Sequence, residues 1–381
     1  MTKLPDFGTT IFSVMSQLAL EHNAINLSQG FPDFSPDSEL SKFLTEAALH
    51  GPHQYAPMAG LMSLREQIAV RFADKYGLAI NPECEVTITA GATQAIFTAI
   101  AANVGAGDEV ILLDPSYDSY APSVIAQGGI PIRIPLVAPD FAVDWEKVDG
   151  AISPRTRMII VNNPNNPTGT IFTNDDLNSL SHIAERNDLI VLSDEVYEGI
   201  VFDENCHSSV LSHPTLRSRS LAVYSFGKSF HITGWKVGYC IAPTFLTKTF
   251  RNLHQFLVFS INAPAQYAIE RFMRLEQSKE KLGLYFQNRR DSLVQGLKLC
   301  GFKVKPAKGT YFQLANYAEI KPDMDELCFA RWLTVEHGVA CIPLAPFYQN
   351  MTDQKLVRFC FAKKQETLDA ALLRLKNVCT A

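Results

Sequence analysis

The sequence lacks the features that would place a protein in a membrane, outside the cell or on a nucleic acid. No run comes near the roughly 20 consecutive apolar residues of a membrane span, and the mildly apolar N-terminus lacks the basic leader and small-residue cleavage site of a signal peptide. Lysine and arginine total 34 against 39 acidic residues, a net charge of -5, and they form no basic block. We therefore expect neither a membrane nor a nucleic acid as a partner.

Cysteine spacing also excludes some kinds of site. The eight cysteines form no CxxC pair and have no histidine at metal-ligand spacing, so no metal site is predicted. Cys240, Cys341 and Cys360 each lie in an apolar, strand-like run, as buried thiols do. Unpaired buried thiols fit a reducing compartment better than a secreted disulfide scaffold, so we predict a cytoplasmic location.

The residues that are present suit a large globular protein. Hydrophobic residues make up 47% of the chain and charged residues 19%, which is ample for a buried core. A chain of 381 residues is long for one domain and favours two unequal lobes. No internal repeat or low-complexity tract is visible, which excludes a solenoid.

From about residue 84 to 242, short β-branched and aliphatic runs alternate with longer segments of helical period. The runs are CEVTITAG, DEVILLDP, GIPIRIPL, RMIIVNNP, DLIVLSDE, SLAVYSFG and KVGYCIAP. Residues 93–104 and 175–184 have helical spacing, and Thr173 and Asn174 are candidate caps for the second helix. The alternation predicts an α/β fold whose large domain has a mostly parallel, seven-stranded sheet flanked by helices.

Beyond residue 245 the pattern changes. A long helical stretch at about 264–300 is followed by strand-like runs near GTYFQLA, GVACIPL and LVRFCFA, and the chain closes with the helical pattern QETLDAALLRLKNVC. We interpret this part as a smaller α+β domain.

Two lysines stand near the end of one predicted strand. In a doubly wound sheet the ligand lies beyond the carboxyl ends of the strands, so the loops there are the places to search. Lys228 follows a strand-like run and a glycine, and Lys236 comes eight residues later. A lysine that is desolvated near another cation has a lowered pKa and can attack a carbonyl. A solvated surface charge is the common alternative for a single lysine, but the flanking strand weakens it here.

A carboxylate ends the neighbouring strand. Asp194 follows the apolar run DLIVL, which would bring the carboxylate to the mouth of the sheet, where it needs a cationic partner. A protonated pyridine ring is such a partner, and the Tyr197 hydroxyl could bond to the same ligand. Without the lysine, a helix cap would explain Asp194 equally well.

Three further positions could hold parts of a ligand. Gly91-Ala92-Thr93 opens a helix directly after a strand, so free backbone N–H groups could bind a phosphate. Tyr117 could stack on a flat ring, although a tyrosine often lies in a core. Arg358 is a lone charge in an apolar strand, and either a substrate carboxylate or an internal salt bridge would satisfy it.

Taken together, these segments resemble a known family. NNPNNPTG, SDEVY, SFGKSFHITGWKVGY, KGTYF and LVRFCFA stand in the order and spacing of the class I aminotransferases, which belong to the fold type I superfamily dependent on pyridoxal 5'-phosphate (PLP). NLSQGFPDF and QYAPMAG are most similar to the branch of methionine, glutamine and kynurenine aminotransferases, and within it to bacterial methionine aminotransferases. The resemblance covers nearly the whole chain. It implies a large PLP-binding domain at 46–279, a small domain at 280–381 and an N-terminal segment, 1–45, that joins the small domain.

The resemblance also implies residue roles around the cofactor ring. Lys228 would bear the cofactor covalently, and Asp194 would pair with its pyridine nitrogen. Tyr197 and Asn166 would contact its phenolic oxygen. Tyr117 would stack on the ring, although some branches have tryptophan or phenylalanine there.

The cofactor's phosphate would have its own set of residues. The resemblance assigns it to Ala92, Thr93, Ser225 and Lys236, where many relatives have arginine in place of Lys236. Lysine keeps the charge but loses the bidentate fork. The family is dimeric, which implies a homodimer in which Tyr55 reaches the neighbouring subunit's phosphate.

The implied reaction is transamination between an amino acid and a 2-oxo acid, with ping-pong kinetics. Gly30, Asn166 and Arg358 would receive the substrate carboxylate, and the freed Lys228 amine would act as general base.

A side-chain pocket drawing on Phe12, Tyr117 and Tyr311 favours methionine, aromatic or other large neutral substrates. Alternatives are a kynurenine or glutamine aminotransferase with cysteine-conjugate β-lyase activity, and a non-catalytic binding protein with the PLP fold. No GxGxxG follows the first strand of the sheet, which disfavours a nicotinamide oxidoreductase.

Overall fold

A computed structural model describes residue 4, residues 8–275, residues 282–376 and residue 378. The first described elements are α1 (Ile11–Glu21), β1 (Ile25–Asn26), α2 (Ser38–His50) and α3 (Met62–Tyr76). The side chains of Thr10 and Asp37 accept hydrogen bonds from backbone N–H groups and so cap α1 and α2.

The centre of the larger lobe is a seven-stranded sheet. Its strands are β2 (Val86–Thr89), β3 (Glu109–Asp114), β4 (Ile130–Pro135), β5 (Thr156–Asn162), β6 (Ile190–Asp194), β7 (Ser220–Ser225) and β8 (Gly238–Ile241), in the spatial order β2-β8-β7-β6-β5-β3-β4. β8 runs antiparallel to both neighbours, and the other pairings are parallel. Each of the seven predicted runs overlaps one of these strands, so the predicted sheet is confirmed.

Helices cover both faces of this sheet. They are α4 (Gly91–Asn103), α5 (Tyr120–Ala126), α6 (Trp145–Gly150), α7 (Asn174–Arg186), α8 (Pro214–Arg217), α9 (Phe226–Ser229), α10 (Thr244–Leu257) and α11 (Ala263–Met273). α4 and α7 confirm the two predicted helices. The cap of α7 is Thr173, which forms a capping box with Asp176, whereas Asn174 is the first helical residue. Most residues of the central strands are buried, as expected of strands covered on both faces.

The second lobe combines helices with short strands. Its elements are α12 (Leu282–Leu299), β9 (Phe312–Asn316), α13 (Glu326–His337), β10 (Val339–Ala340), β11 (Ile342–Pro343), β12 (Leu356–Cys360) and α14 (Gln365–Leu375). β11, β12 and β9 form an antiparallel sheet in that order. The predicted stretch at 264–300 corresponds to α11 and α12, with residues 276–281 outside the described part. α14 confirms the last predicted helix, although residues 377 and 379 are not described.

The N-terminal segment contacts both lobes. β1 pairs in parallel with β10, and α1 packs on α13. α2 instead packs on α11 of the larger lobe. The domain boundaries stay predictions, and that at 279–280 lies outside the described residues.

The three cysteine thiols predicted to be buried lie in the core. Cys240, Cys341 and Cys360 are buried free thiols, as predicted. Within the described ranges, no helix combines the length and apolarity needed to cross a bilayer.

Candidate active site

A cavity of about 330 Å³ lies where the carboxyl ends of β5, β6 and β7 meet the start of α4. The second lobe contributes Phe312 and Arg358 to its wall, and the N-terminal segment contributes Phe12, Gln29 and Gly30. Its size is within the range of small-molecule sites. The predicted site residues that line it are Gly30, Ala92, Thr93, Tyr117, Asn166, Asp194, Tyr197, Ser225, Lys228, Lys236 and Arg358. The structure thus brings together every predicted site residue except Tyr55 and Tyr311, the second of which was predicted to line the side-chain pocket.

Lys228 lies in α9, directly after β7, and its amine is enclosed by protein. Its Nζ donates hydrogen bonds to Tyr311 Oη at 2.8 Å and to the Gly30 carbonyl at 3.3 Å. Burial lowers the pKa of Lys228 to about 8, and the nearby charges of Arg358 and Lys236 act in the same direction. Both causes named in the prediction, desolvation and a neighbouring cation, act on Lys228, and desolvation is the larger.

Asp194 ends β6 as a fully enclosed carboxylate. Its Oδ2 accepts a 2.6 Å hydrogen bond from Tyr120 Oη, and its Oδ1 accepts one from the Val196 N–H at 3.3 Å. Burial raises the pKa of Asp194 to about 6, although both hydrogen bonds oppose the rise. Among the described residues, no lysine, arginine or histidine forms an ion pair with Asp194. A buried carboxylate that lacks a cationic partner is suited to binding a cation from outside the chain.

The start of α4 lies at a corner of the cavity whose chemistry suits an anion. Ala90 makes no side-chain cap, so the first N–H groups of the helix are left without a capping side chain. A Cβ added to Gly91, which has φ of +73°, would lie 3.5 Å from Lys236 Nζ, so the ammonium approaches the helix end closely. Ser225 and Thr93 line the same part of the cavity. A helix N-terminus, a cation and two hydroxyls together suit a phosphate.

Glycine at position 238 allows β8 to lie close to this corner. A Cβ there would lie 2.5 Å from the Tyr224 carbonyl oxygen and 3.1 Å from the Ala92 nitrogen. Any side chain would therefore push β8 away from the start of α4.

Arg358 lies in β12 and is 1% exposed. Its Nη1 donates to Asn166 Oδ1 at 2.6 Å and its Nη2 to the Ser28 carbonyl at 3.1 Å, while its Nε has no hydrogen-bond partner among the described residues. The guanidinium lies 3.8 Å from the ring centroid of Phe312 and 5.2 Å from that of Phe12.

Arg358 carries a buried charge that calls for an anionic partner. The described part of the chain places no carboxylate in an ion pair with it, which argues against the salt-bridge alternative for this residue. Burial lowers the pKa of Arg358 to about 10, so it stays charged at neutral pH. It can therefore receive a carboxylate from a ligand.

Tyr55 lies apart from the cavity. Its side chain is 80% exposed and packs edge-on against Phe259, with ring centroids 5.0 Å apart. Its predicted contact with a neighbouring subunit stays a prediction.

Three residues of the site were missed or given another role by the sequence argument. Tyr120 binds Asp194, Tyr311 binds Lys228 instead of lining the cavity, and Asn162 bonds through its side chain to the Asp194 carbonyl and the Asn166 N–H. Spacing gives a weak signal for Tyr120, which lies one helical turn after Tyr117. No local pattern points to the hydroxyl of Tyr311.

A larger cavity, of about 690 Å³, lies beside this site and shares only Asn162 with it. Its walls are largely apolar and include Phe141, Phe172 and Leu314. No predicted cofactor or substrate residue lines it, so the smaller cavity is the candidate active site.

Comparison with known proteins agrees with the geometry of the cavity. Residues 22–375 match the family described as aminotransferase class I and II. Methionine aminotransferase of Escherichia coli is 47% identical over 99% of this chain and 98% of its own. Human kynurenine–oxoglutarate transaminase 1 is 32% identical over 95% of this chain and 94% of its own.

Solved structures give the same result. An Escherichia coli protein identified as having a methionine aminotransferase function superposes with a TM-score of 0.96 at 46% identity, covering 99% of both chains. N-succinyldiaminopimelate aminotransferase from Mycobacterium tuberculosis superposes with a TM-score of 0.95 at 36% identity, and the match again covers 99% of both chains. The fold, the enclosed lysine and carboxylate and the full-length similarity lead to one conclusion: this chain belongs to the class I and II aminotransferases.

Proposed function

We propose that this enzyme uses PLP, held on Lys228, to transfer the amino group of methionine and of aromatic or other large neutral amino acids to a 2-oxo acid. The observation that carries the proposal is the single cavity in which a buried amine, a buried carboxylate, an anion-binding helix end and a buried arginine face one another. Each matches one chemical group of the cofactor or substrate.

The residues present fit PLP. Lys228 supplies an amine with a lowered pKa for covalent attachment to an aldehyde, and Asp194 supplies a carboxylate for a protonated ring nitrogen. Ala92, Thr93, Ser225 and Lys236 would hold the phosphate. Bound there, PLP supplies an electron sink that stabilises negative charge at the substrate's α-carbon.

The ring would lie between side chains already in place. Tyr117 would stack on the ring, and Tyr197 and Asn166 would bond to the phenolic oxygen. Burial raises the pKa of Tyr197 above its usual range, so it remains a hydrogen-bond donor. Asn162 fixes this arrangement, because one amide binds the backbone of both Asp194 and Asn166.

The substrate carboxylate would bind at Arg358, with Asn166 and Gly30 beside it. The Phe312, Phe12 and Phe347 rings around the guanidinium exclude water, which strengthens a charge-assisted hydrogen bond. With the α-carbon held next to Lys228, the amine can take the α-proton and later return a proton to the reacting system. Phe12 would link carboxylate binding to side-chain selection, since it lines the cavity and contacts the guanidinium.

The preference for neutral substrates rests on the charges in the cavity wall. Among the described residues, its lysines and arginines are Lys228, Lys236 and Arg358, and each has an assigned anion or covalent role. A distal substrate carboxylate would therefore lack a partner. Methionine is the named substrate of the 47% identical Escherichia coli relative, which supports the same choice.

A kynurenine or glutamine aminotransferase with cysteine-conjugate β-lyase activity is the second candidate. The 32% identity to human kynurenine–oxoglutarate transaminase 1 favours it. The non-catalytic alternative is disfavoured, because the lysine, the carboxylate and the arginine are all present and enclosed.

We also propose that the enzyme works as a cytoplasmic homodimer. The exposed pair of Tyr55 and Phe259 supports a partner surface, with Tyr55 reaching the phosphate of the neighbouring subunit. The buried free thiols support a reducing compartment.

A substrate panel tests the proposal. Purified enzyme with PLP is assayed against methionine, phenylalanine, kynurenine, glutamine, aspartate, glutamate and N-succinyldiaminopimelate, each with several 2-oxo acids. We expect methionine or an aromatic amino acid to give the highest kcat/KM, with ping-pong kinetics. Aspartate, glutamate or N-succinyldiaminopimelate as the best donor would contradict the proposed substrate class. Release of pyruvate and ammonia from a cysteine conjugate without an oxo acid would support the β-lyase candidate.

A further inference from the structure

Three polar atoms form a closed triangle at the floor of the active site. Lys228 Nζ lies 2.8 Å from Tyr311 Oη and 3.3 Å from the Gly30 carbonyl oxygen, and Tyr311 Oη lies 2.6 Å from that same oxygen. Tyr311 is 0% exposed, so water does not compete for these bonds. The role proposed above for Lys228 uses none of the chemistry of this tyrosine.

The short contact between Tyr311 and Gly30 determines the direction in which the Tyr311 hydroxyl donates its proton. A carbonyl oxygen only accepts hydrogen bonds, so the phenol donates to Gly30 at 2.6 Å. Its oxygen then faces Lys228 as an acceptor. Burial raises the pKa of Tyr311 well above its usual range, which keeps that proton in place.

This arrangement determines where the lone pair of a neutral Lys228 amine points. A neutral primary amine has two N–H bonds and one lone pair. Tyr311 Oη and the Gly30 carbonyl accept the two N–H bonds, which leaves the lone pair directed away from both. Because the Tyr311 proton is already bound to Gly30, the phenol does not compete for the lone pair.

We propose that Tyr311 is a positioning residue that orients the free amine of Lys228 for reaction; the inference rests on the proposed function of Lys228. In attachment to the cofactor, the lone pair forms the new bond to the aldehyde carbon, and water leaves after proton transfer. In proton transfer from substrate, an N–H bond forms, the Cα–H bond breaks and its electron pair stays with the substrate. Both steps need the same lone pair to face the cavity.

The tyrosine also ties Lys228 to the proposed carboxylate site. Gly30 belongs to the N-terminal segment and lines the cavity beside Arg358. A Cβ added to Gly30 would lie 2.6 Å from a ring atom of Phe312, so the Gly30 backbone packs directly against this ring. Tyr311 therefore fixes the amine relative to the backbone against which the substrate carboxylate would lie.

Replacing Tyr311 by phenylalanine isolates the hydroxyl from the ring. The ring packs against Tyr197, Phe312 and Phe286, with centroids 5.1, 4.9 and 5.8 Å away, and the variant keeps those contacts. Tyr317→Phe is the matched control. Tyr317 is also 0% exposed in the same lobe, stacks on Phe329 and donates its hydroxyl to the Met324 carbonyl, away from the cavity.

The experiment measures cofactor capture rather than turnover. Full-length protein freed of cofactor is mixed with PLP over a range of pH, and the absorbance of the new Lys228–cofactor bond gives the rate of attachment. Equal melting temperatures of the two variants would establish that both are folded. A second measurement compares kcat and KM for methionine and for methionine deuterated at the α-carbon.

We expect Tyr311→Phe to lower the limiting attachment rate about tenfold, the size expected for loss of one hydrogen bond that orients the neutral amine. The half-point of its pH profile should move to lower pH. An ammonium donates to Tyr311 more strongly than a neutral amine does, so losing the acceptor destabilises the charged form and lowers the pKa of Lys228. kcat should fall with KM little changed, and the isotope effect should rise, because proton removal becomes slower.

Two results would overturn the inference. If Tyr311→Phe and Tyr317→Phe both match the parent protein in rate, pH profile and isotope effect, Tyr311 does not position the amine and the proposed function stands. If the parent protein itself never forms the cofactor bond, the proposed function fails and this inference fails with it.

Discussion

The hydroxyl of Tyr120 donates a 2.6 Å hydrogen bond to the carboxylate of Asp194, and both residues are buried. The bond favours the ionised form of Asp194 and so opposes the effect of burial, which raises the pKa of this carboxyl to about 6. Tyr120 therefore supports the charge that is needed opposite a protonated ring nitrogen.

Removing this hydroxyl should make the enzyme more sensitive to acid. In Tyr120→Phe the pKa of Asp194 rises further, so the ionised form is lost at a higher pH as the solution is acidified. Activity that depends on ionised Asp194 is present above its pKa and declines below it. We expect the acid limb of kcat/KM to shift to higher pH and the affinity for PLP to fall about tenfold.

Tyr224→Phe is the control for this prediction. Tyr224 is also buried and donates a 2.7 Å hydrogen bond to Glu195, the carboxylate next to Asp194 in sequence, which does not line the cavity. If the acid limb of the kcat/KM profile moves equally in both variants, Tyr120 acts only through the stability of the folded protein.

Arg358→Lys should damage substrate binding more than cofactor binding. Lysine keeps a positive charge but cannot give a carboxylate two parallel hydrogen bonds. We expect KM for methionine to rise by about tenfold or more, while the affinity for PLP changes little. The control is 3-methylthiopropylamine, the amine that lacks the carboxylate. Its binding should not depend on the two parallel hydrogen bonds of the guanidinium. Equal losses for methionine and for this amine would contradict the assignment of Arg358.

Mixing two inactive variants tests the shared site of the proposed dimer. Lys228→Ala removes the covalent anchor, and Tyr55→Ala removes the side chain proposed to reach the partner. After exchange of subunits, a mixed dimer would contain one site with both residues intact. We expect the mixture to be clearly more active than either variant alone. A mixture that stays at the level of its components, while light scattering detects mixed dimers, would contradict the role of Tyr55.

The central sheet and most of the cavity could be predicted because each strand and the site residue after it can be recognised from a short stretch of sequence. Each strand of the sheet is a short apolar run, and Asn162, Asp194 and Ser225 directly end three parallel neighbours. Parallel strands bring such residues to one edge of a sheet. The strand order could not be derived, because the insertion of β8 between β2 and β7 depends on contacts between distant parts of the chain.

The partners of the reactive groups could not be predicted either. Tyr311 lies 83 residues from Lys228 in sequence, and Tyr120 lies 74 residues from Asp194. Spacing carries no information about which hydroxyl faces which charge, either within the larger lobe, as for Tyr120 and Asp194, or between the lobes, as for Tyr311 and Lys228. The relative size of the effects on Lys228 also depends on packing, because burial lowers the pKa of Lys228 more than the nearby charge of Lys236 does.

The central claim is that Lys228 forms the covalent bond to PLP. It is tested by treating the purified enzyme with PLP and then sodium borohydride, which makes the bond permanent, and by locating the label by mass spectrometry of peptides. We predict that the reduced cofactor is found on the peptide containing Lys228 and that Lys228→Ala carries no label and shows no multiple-turnover transamination. A label on another lysine of the parent protein, or sustained turnover by Lys228→Ala, would contradict the claim.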